Sequence, residues 1–220
     1  MSKPVFRGRL PSNLLRFFHE RDHAVSFLDG CVRLGELWGY RKVEGARQDA
    51  SEGEGRLVVP GVKKVPVNFG ISFHNPVYIL SLCSPRADLT LVSRRFGRFV
   101  VRVRHANVLA GALFRRLARS SIAGRDLLFG ERGAVVYTKD EAVARTPRHE
   151  RRVRLSWMQK PPDFVGEREY RIAFAFSGPR PDAPFHICVP LSRPVDGEID
   201  EVDSSPAELA GVELPGASPG

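Results

Sequence analysis

The sequence predicts an α+β fold, a strand-rich single domain with a few flanking helices. Three observations carry that expectation. Residues 77–83 form a continuous apolar run with no alternation, as in a strand covered on both faces. Residues 97–104 and 167–176 alternate apolar with charged side chains, the period of a strand with one face on a core. Strand-like and helix-like segments do not alternate strictly, which disfavours a doubly wound parallel sheet.

The elements follow in order. Leu14-Leu15-Arg16-Phe17-Phe18 reads as a short strand. A brief helix comes next, with Asp22 as the expected N-cap, an apolar stripe of Ala24, Val25, Phe27 and Leu28, and Gly30 as its stop. Residues 31–37 read as a second strand. The stretch 39–55 is polar, glycine-rich and too charged for a core. Pro60 and Pro66 break residues 56–67 into one or two strands. In 97–104, Phe99, Val101 and Val103 oppose Arg98, Arg102 and Arg104. Residues 107–118 suit a helix through Val108, Leu109, Ala112, Leu113 and Leu117, although Arg116 falls within that stripe. Strands are expected at 133–138, 152–157, 167–176 and 185–189. The domain plan is an N-terminal arm over 1–12, a single catalytic-type domain over 13–191 and a disordered acidic tail over 192–220.

Composition narrows the function classes. With 220 residues, 42% hydrophobic and 27% charged, the chain can bury one core. No apolar run approaches the ~20 residues of a membrane helix. The first eleven residues carry Lys3, Arg7 and Arg9 and no apolar block. The expectation is a cytoplasmic protein with no membrane partner. Cys31, Cys83 and Cys188 each lie in an apolar stretch and no C-x-x-C pair occurs, so all three read as reduced core residues. Every Lys and Arg lies at or before Arg193, whereas Asp196, Glu198, Asp200, Glu201, Asp203, Glu208 and Glu213 follow it with no base. The body is therefore more basic than the overall +9. Such a body suits a polyanion such as nucleic acid, or is simply a solvated arginine-rich surface.

Several constellations bear on chemistry. His19-Glu20-Arg21-Asp22-His23 matches H-E-x-x-H, which on a helix would place both histidines on a zinc ion. An N-cap at Asp22 would leave His19 outside the helix, so the match reads as accidental and no metal is expected. No P-loop, no G-x-G-x-x-G opening a helix and no G-x-S-x-G elbow is present. In the late strand, Tyr170, Ile172, Phe174 and Phe176 alternate onto a core face, which leaves Glu167, Glu169 and Arg171 on the other. Two carboxylates at i, i+2 beside an arginine can orient a substrate and stabilise a developing cation. An exposed strand face with alternating charges is the plainer reading. The cluster Arg47-Gln48-Asp49-Ala50-Ser51-Glu52-Gly53, preceded by Tyr40, Arg41, Lys42 and Glu44, suits either an ordered active-site loop or a surface loop.

The order of these blocks resembles a family of poorly characterised bacterial and phage-linked proteins. The blocks are Leu-Leu-Arg-Phe-Phe, His-Ala-x-x-Phe-Leu-x-Gly, Arg-x-Asp-x-x-Glu-Gly and a late Lys160…Glu167-Arg168-Glu169-Tyr170-Arg171. The likeness spans residues 13–176. That layout is in turn similar to the ADP-ribosyltransferase superfamily. The resemblance implies split β-sheets, NAD as a substrate, catalytic Glu169 and Glu167, and a cofactor-binding set of Arg16, Ser81, Tyr40 and Arg47. It also implies a toxin or antiphage effector modifying nucleic acid or protein, and an antitoxin partner. Ser81-Leu82-Cys83-Ser84 stands where the clearest superfamily members have Ser-Thr-Ser, and no characteristic aromatic loop precedes Glu167. A nucleic-acid-binding protein or metal-dependent nuclease is the first alternative, ahead of a zinc hydrolase through His19 and His23; the first is argued from the arginines. It would use Arg98–Arg104 and residues 148–154, with Asp49, Glu52, Glu167 and Glu169 as ligands.

Overall fold

The apolar run over residues 77–83 becomes the strand on which the rest of the sheet is built. In the computed structural model, residues 4–37, 39, 54–60, 66–72, 75–119, 121, 124–137, 156–179 and 183–202 are described. The strands are β1 (Val5–Gly8), β2 (Leu14–Phe18), β3 (Cys31–Glu36), β4 (Glu54–Pro60), β5 (Pro66–Ser72), β6 (Val77–Cys83), β7 (Phe99–Val103), β8 (Leu127–Ala134), β9 (Val136–Tyr137), β10 (Gln159–Lys160), β11 (Glu169–Phe176), β12 (His186–Pro190) and β13 (Gly197–Glu201). The helices are α1 (Arg21–Leu28), α2 (Leu89–Phe96) and α3 (Ala106–Leu117). Among the described residues, nine strands form one mixed sheet ordered β1-β8-β11-β6-β2-β7-β13, and β3 joins β6 and carries β12. Only β1–β8 is parallel within it. The strand-rich α+β class expected from the sequence is thus the observed one.

Both faces of β6 are covered, as its unbroken apolar run requires. Tyr78, Leu80 and Leu82 join the main core with Ile172, Phe174 and Phe176 of β11 and the α3 stripe Ala106, Leu109, Ala110, Leu113 and Leu117. On the other face, Val77 and Ile79 pack with Ala173, Ala175 and Trp157. Leu15, Phe17, Cys83, Val92 and Val100 form a third cluster. Fully burying one such aliphatic side chain is worth about 1.5–3 kcal/mol, so these layers dominate the favourable side of folding.

Several expectations change. The arm over 1–12 carries β1, and Leu10 is buried and clamped by Asn107, whose amide exchanges hydrogen bonds with the Leu10 backbone. Helix α1 is capped at Glu20, so Asp22 lies in its first turn, where a carboxylate still favours the helix dipole. The α3 stripe follows Leu109 and Leu113, which leaves Val108 and Arg116 exposed. Residues 156–158 form a 3-10 turn, not strand. Asp88 caps α2 by accepting from the Leu91 N–H at 2.9 Å, and Gly97 ends it at φ 103°, where a Cβ would strike the Phe18–His19 backbone. The tail expected to be disordered from Ser192 is ordered over 192–202. There β13 pairs with β7, and Val195 is buried in the main core. Apolar Val195 and Ile199 drive that docking, and acids opposite Arg98, Arg102 and Arg104 support it. Residues 203–220 lie outside the described residues. No helix among the described residues is long and apolar enough to cross a membrane.

Candidate active site at the sheet branch point

The site arises where the sheet divides. On one side of β6, β2 pairs only through Leu15 opposite Cys83, and β3 pairs through Gly35 opposite Ile79 and Glu36 opposite Tyr78. Ser81 lies between those contacts. Its carbonyl, left without a strand partner on that side, accepts a hydrogen bond from Arg16 Nη1 at 2.7 Å. The divergence of β2 from β3 opens a cavity of about 540 Å³, lined by Arg16, Ser81, Lys160, Glu167, Glu169 and Arg171 among others. Four of the residues singled out from the sequence, Arg16, Ser81, Glu167 and Glu169, therefore meet in one cavity. Tyr40, Arg47, Asp49 and Glu52 lie outside the described residues.

The register supplies the rest. Strand β11 sets Glu169 opposite Cys83 and Arg171 opposite Ser81. Arg168 takes a left-handed conformation, φ 42°, so the strand starts at Glu169 and Glu167 sits in the preceding 3-10 turn. The two glutamates do not form an exposed strand face, as the plainer reading held. Glu167 is 1% and Glu169 3% exposed. Burial is tolerated because both are paired. Lys160 Nζ lies 2.8 Å from Glu167 Oε2 and 2.8 Å from Glu169 Oε2. Arg171 Nε donates to Glu169 Oε1 at 2.7 Å, and its Nη1 donates to the Trp157 carbonyl at 2.7 Å. Arg95 Nη1 donates to Glu167 Oε1 at 2.9 Å. The Phe164 ring lies beneath the Arg95 and Lys160 cations at 5.1 and 4.8 Å.

Electrostatics follow from that pairing. Burial alone would raise the Glu169 carboxyl, but Arg171 and Lys160 outweigh it and hold the group far below the usual carboxylate range. Glu169 is thus an anion at neutral pH. Burial, with the nearby Glu169 and Glu167 charges, pushes the Cys83 thiol well up. The same causes, burial first and Glu169 second, raise Tyr137, whose hydroxyl accepts the Glu169 N–H at 2.8 Å. Arg16 Nε is buried with no hydrogen-bond partner among the described residues, a donor left over in the cavity wall.

His19 and His23 both line the cavity, yet His19 precedes α1 and they do not share a helix face. Among the described residues, no group of three His, Cys, Asp or Glu side chains could hold a metal ion. Glu167 and Glu169 direct lone pairs at Lys160, whose ammonium stands where a bridging cation would. Sequence reasoning missed the roles of Lys160 and Arg95. Lys160 stood in the late block without a partner, and nothing local in α2 marks Arg95 as the counterion of Glu167. The arginines of β7 pair outward, Arg98 with Glu201 at 3.1 Å and Arg104 with Glu198 at 3.2 Å.

No protein-family model, curated protein or solved structure matches this chain.

Proposed function

We propose that the chain is an ADP-ribosyltransferase-like enzyme that uses NAD as its substrate. The observation that carries this reading is the convergence of Arg16, Ser81, Glu167 and Glu169, from three distant segments, on one cavity of about 540 Å³. That volume lies within the ~300–1,000 Å³ of small-ligand sites. Cleaving the nicotinamide–ribose bond develops an oxocarbenium-like cation, as glycoside cleavage does. Glu169, fixed as an anion by Arg171 and Lys160, is suited to stabilise that charge without reorganising. Glu167, held by Arg95 and Lys160, would orient the acceptor nucleophile. The spare Arg16 Nε–H offers a donor to an anionic diphosphate.

The metal-dependent nuclease ranks below, because Lys160 already bridges the two carboxylates and β13 pairs the arginines of β7 with acids. The test is nicotinamide release from labelled NAD, with protein and nucleic-acid acceptors. Glu169→Gln should lower release by at least ~10²-fold, the scale of removing one electrostatic stabiliser. Arg16→Gln, nearer the cavity surface, should mainly raise KM. If folded wild-type protein releases no nicotinamide with any acceptor, the reading fails and nucleic-acid binding takes first place.

A further inference from the structure

Cys31 and Cys188 were expected in the core, and the structure places both at the surface. The reason is strand parity. Val32 and Leu34 of β3, and Ile187 and Val189 of β12, take the core side, so Cys31, Arg33, His186 and Cys188 take the opposite side of the same antiparallel pair. That side forms part of the cavity wall. On it, Arg33 Nη2 lies 3.0 Å from His186 Nδ1. A guanidinium has no acceptor, so Arg33 donates and Nδ1 accepts. The imidazole then carries its proton on Nε2, a second donor on the same wall. The arginines of β7 face acids, Arg171 has Glu169, and Arg95 has Glu167. Among the described residues, no carboxylate pairs with Arg33 or with Arg16. Their printed partners are neutral, the His186 ring and the Ser81 carbonyl. Of the carboxylates lining the cavity, Glu167 and Glu169 are held by Lys160, Arg171 and Arg95, and Glu20 lies exposed at the start of α1. The two unpaired guanidiniums flank the fork. Arg16 stands on β2 and holds the Ser81 carbonyl. Two residues on from the Gly35–Ile79 pair, β3 brings Arg33 level with that same Ser81.

We propose that Arg33 and His186 on one prong of the fork, with Arg16 on the other, form a clamp for the diphosphate group of the cavity's ligand. Guanidinium forks match phosphate oxygens, and a diphosphate offers oxygens on two phosphorus atoms, one set to each prong. His186 has two parts in the clamp. Its Nδ1 fixes the Arg33 fork, and its Nε2–H is free to donate to the same anion. The buried Arg16 Nε–H, without a partner among the described residues, gains one. Charge also sets the ligand's orientation. The anionic end goes to Arg33, and the uncharged or cationic end goes to the carboxylates at the other wall. Bound there, the anion would join β2 to β3 where no ladder hydrogen bond links them. The clamp adds Arg33 and His186 to the part given to Arg16 above, and it does not depend on nicotinamide release.

The test is calorimetric titration of the full-length protein with inorganic pyrophosphate and with ADP, at one fixed ionic strength. The expected result is saturable binding at one site. Arg33→Gln should raise Kd at least ~10-fold, the scale of losing a charge-assisted hydrogen bond. His186→Ala should raise it roughly 5-fold, the scale of one neutral donor. Arg33 and His186 are both exposed, so the folds should survive, and thermal melts of the same samples check this. Arg102→Gln, an exposed arginine of β7 away from the cavity, should leave Kd unchanged. ADP binding more tightly than pyrophosphate would assign the clamp to a nucleotide, and equal affinities would assign it to the diphosphate alone. A folded wild type that binds neither probe would overturn the proposal. So would an Arg33→Gln protein that binds as well as wild type, or an Arg102→Gln protein weakened as much as Arg33→Gln. Arg33-dependent pyrophosphate binding by a protein that releases no nicotinamide would sink the NAD reading and leave the clamp standing.

Discussion

At the residue scale the cluster around Lys160 sets the charge balance of the cavity. Its ammonium lies between two buried carboxylates, so removing it leaves like charges facing one another. Lys160→Met should cost about 3–5 kcal/mol at pH 7, the range for breaking a buried pair from one side. The cost should shrink near pH 4, where one carboxylate can take the proton that relieves the repulsion; denaturant melts at both pH values check this. A second expectation concerns acid stability. Glu169 is held below its unfolded value of about 4.3, so its contribution is complete above that pH and is lost as pH falls toward the folded value. The wild-type melting temperature should therefore drop on acidification below about pH 4.3, and Glu169→Gln should flatten that drop. An equal slope in both proteins would show that Glu169 does not carry it. Glu169 was legible in the sequence, because the alternation of β11 sets it apart from the aromatic face, whereas Glu167 belongs to the 3-10 turn before that strand. The burial of the two was not legible. It depends on Lys160, Arg171 and Arg95 arriving from other segments, and periodicity reports a residue's face without reporting what covers it.

At the element scale β13 most changes the picture of the molecule. Its acids made the C-terminal stretch look solvated, and they are indeed about half exposed, with their arginine partners on β7. Exposed pairs of this sort contribute about 0–1 kcal/mol each and weaken in salt. The docking energy comes instead from Val195, Ile199 and the ladder to β7. Truncation after Pro190 should therefore lower the melting temperature by at least ~5 °C, since losing one buried aliphatic already costs about 1.5–3 kcal/mol. Molar salt should move the intact protein far less. A truncated chain melting within a degree of full length would show that β13 does not stabilise the domain. The same truncation removes the acids paired with Arg98, Arg102 and Arg104, and should strengthen salt-dependent binding to a single-stranded oligonucleotide. Central strands were readable because apolar runs are local. Strand β13 was hidden because only three apolar side chains, Val195, Ile199 and Val202, punctuate its acids. Helix α2 was not among the elements expected, although Asp88 and Gly97 mark its two ends.

At the scale of the whole molecule, the pairing of β12 with β3 sets an order of events. Those strands stand near opposite ends of the chain, and together they build one wall of the cavity. Contacts between segments so far apart in sequence are slow to form, because the intervening chain must be ordered first. During synthesis β2, α1, β3 and β6 leave the ribosome long before His186–Pro190 does. Until then Val32 and Leu34 of β3 have no β12 to cover them, and the strand's edge is open. A nascent or prematurely terminated chain should consequently be protease-sensitive and bind no ligand at the branch point, which pulse proteolysis of stalled chains of graded length would reveal as a sharp gain of protection once residue 190 is free. A formed cavity then waits on the making of β12, so the chain carries its own timer.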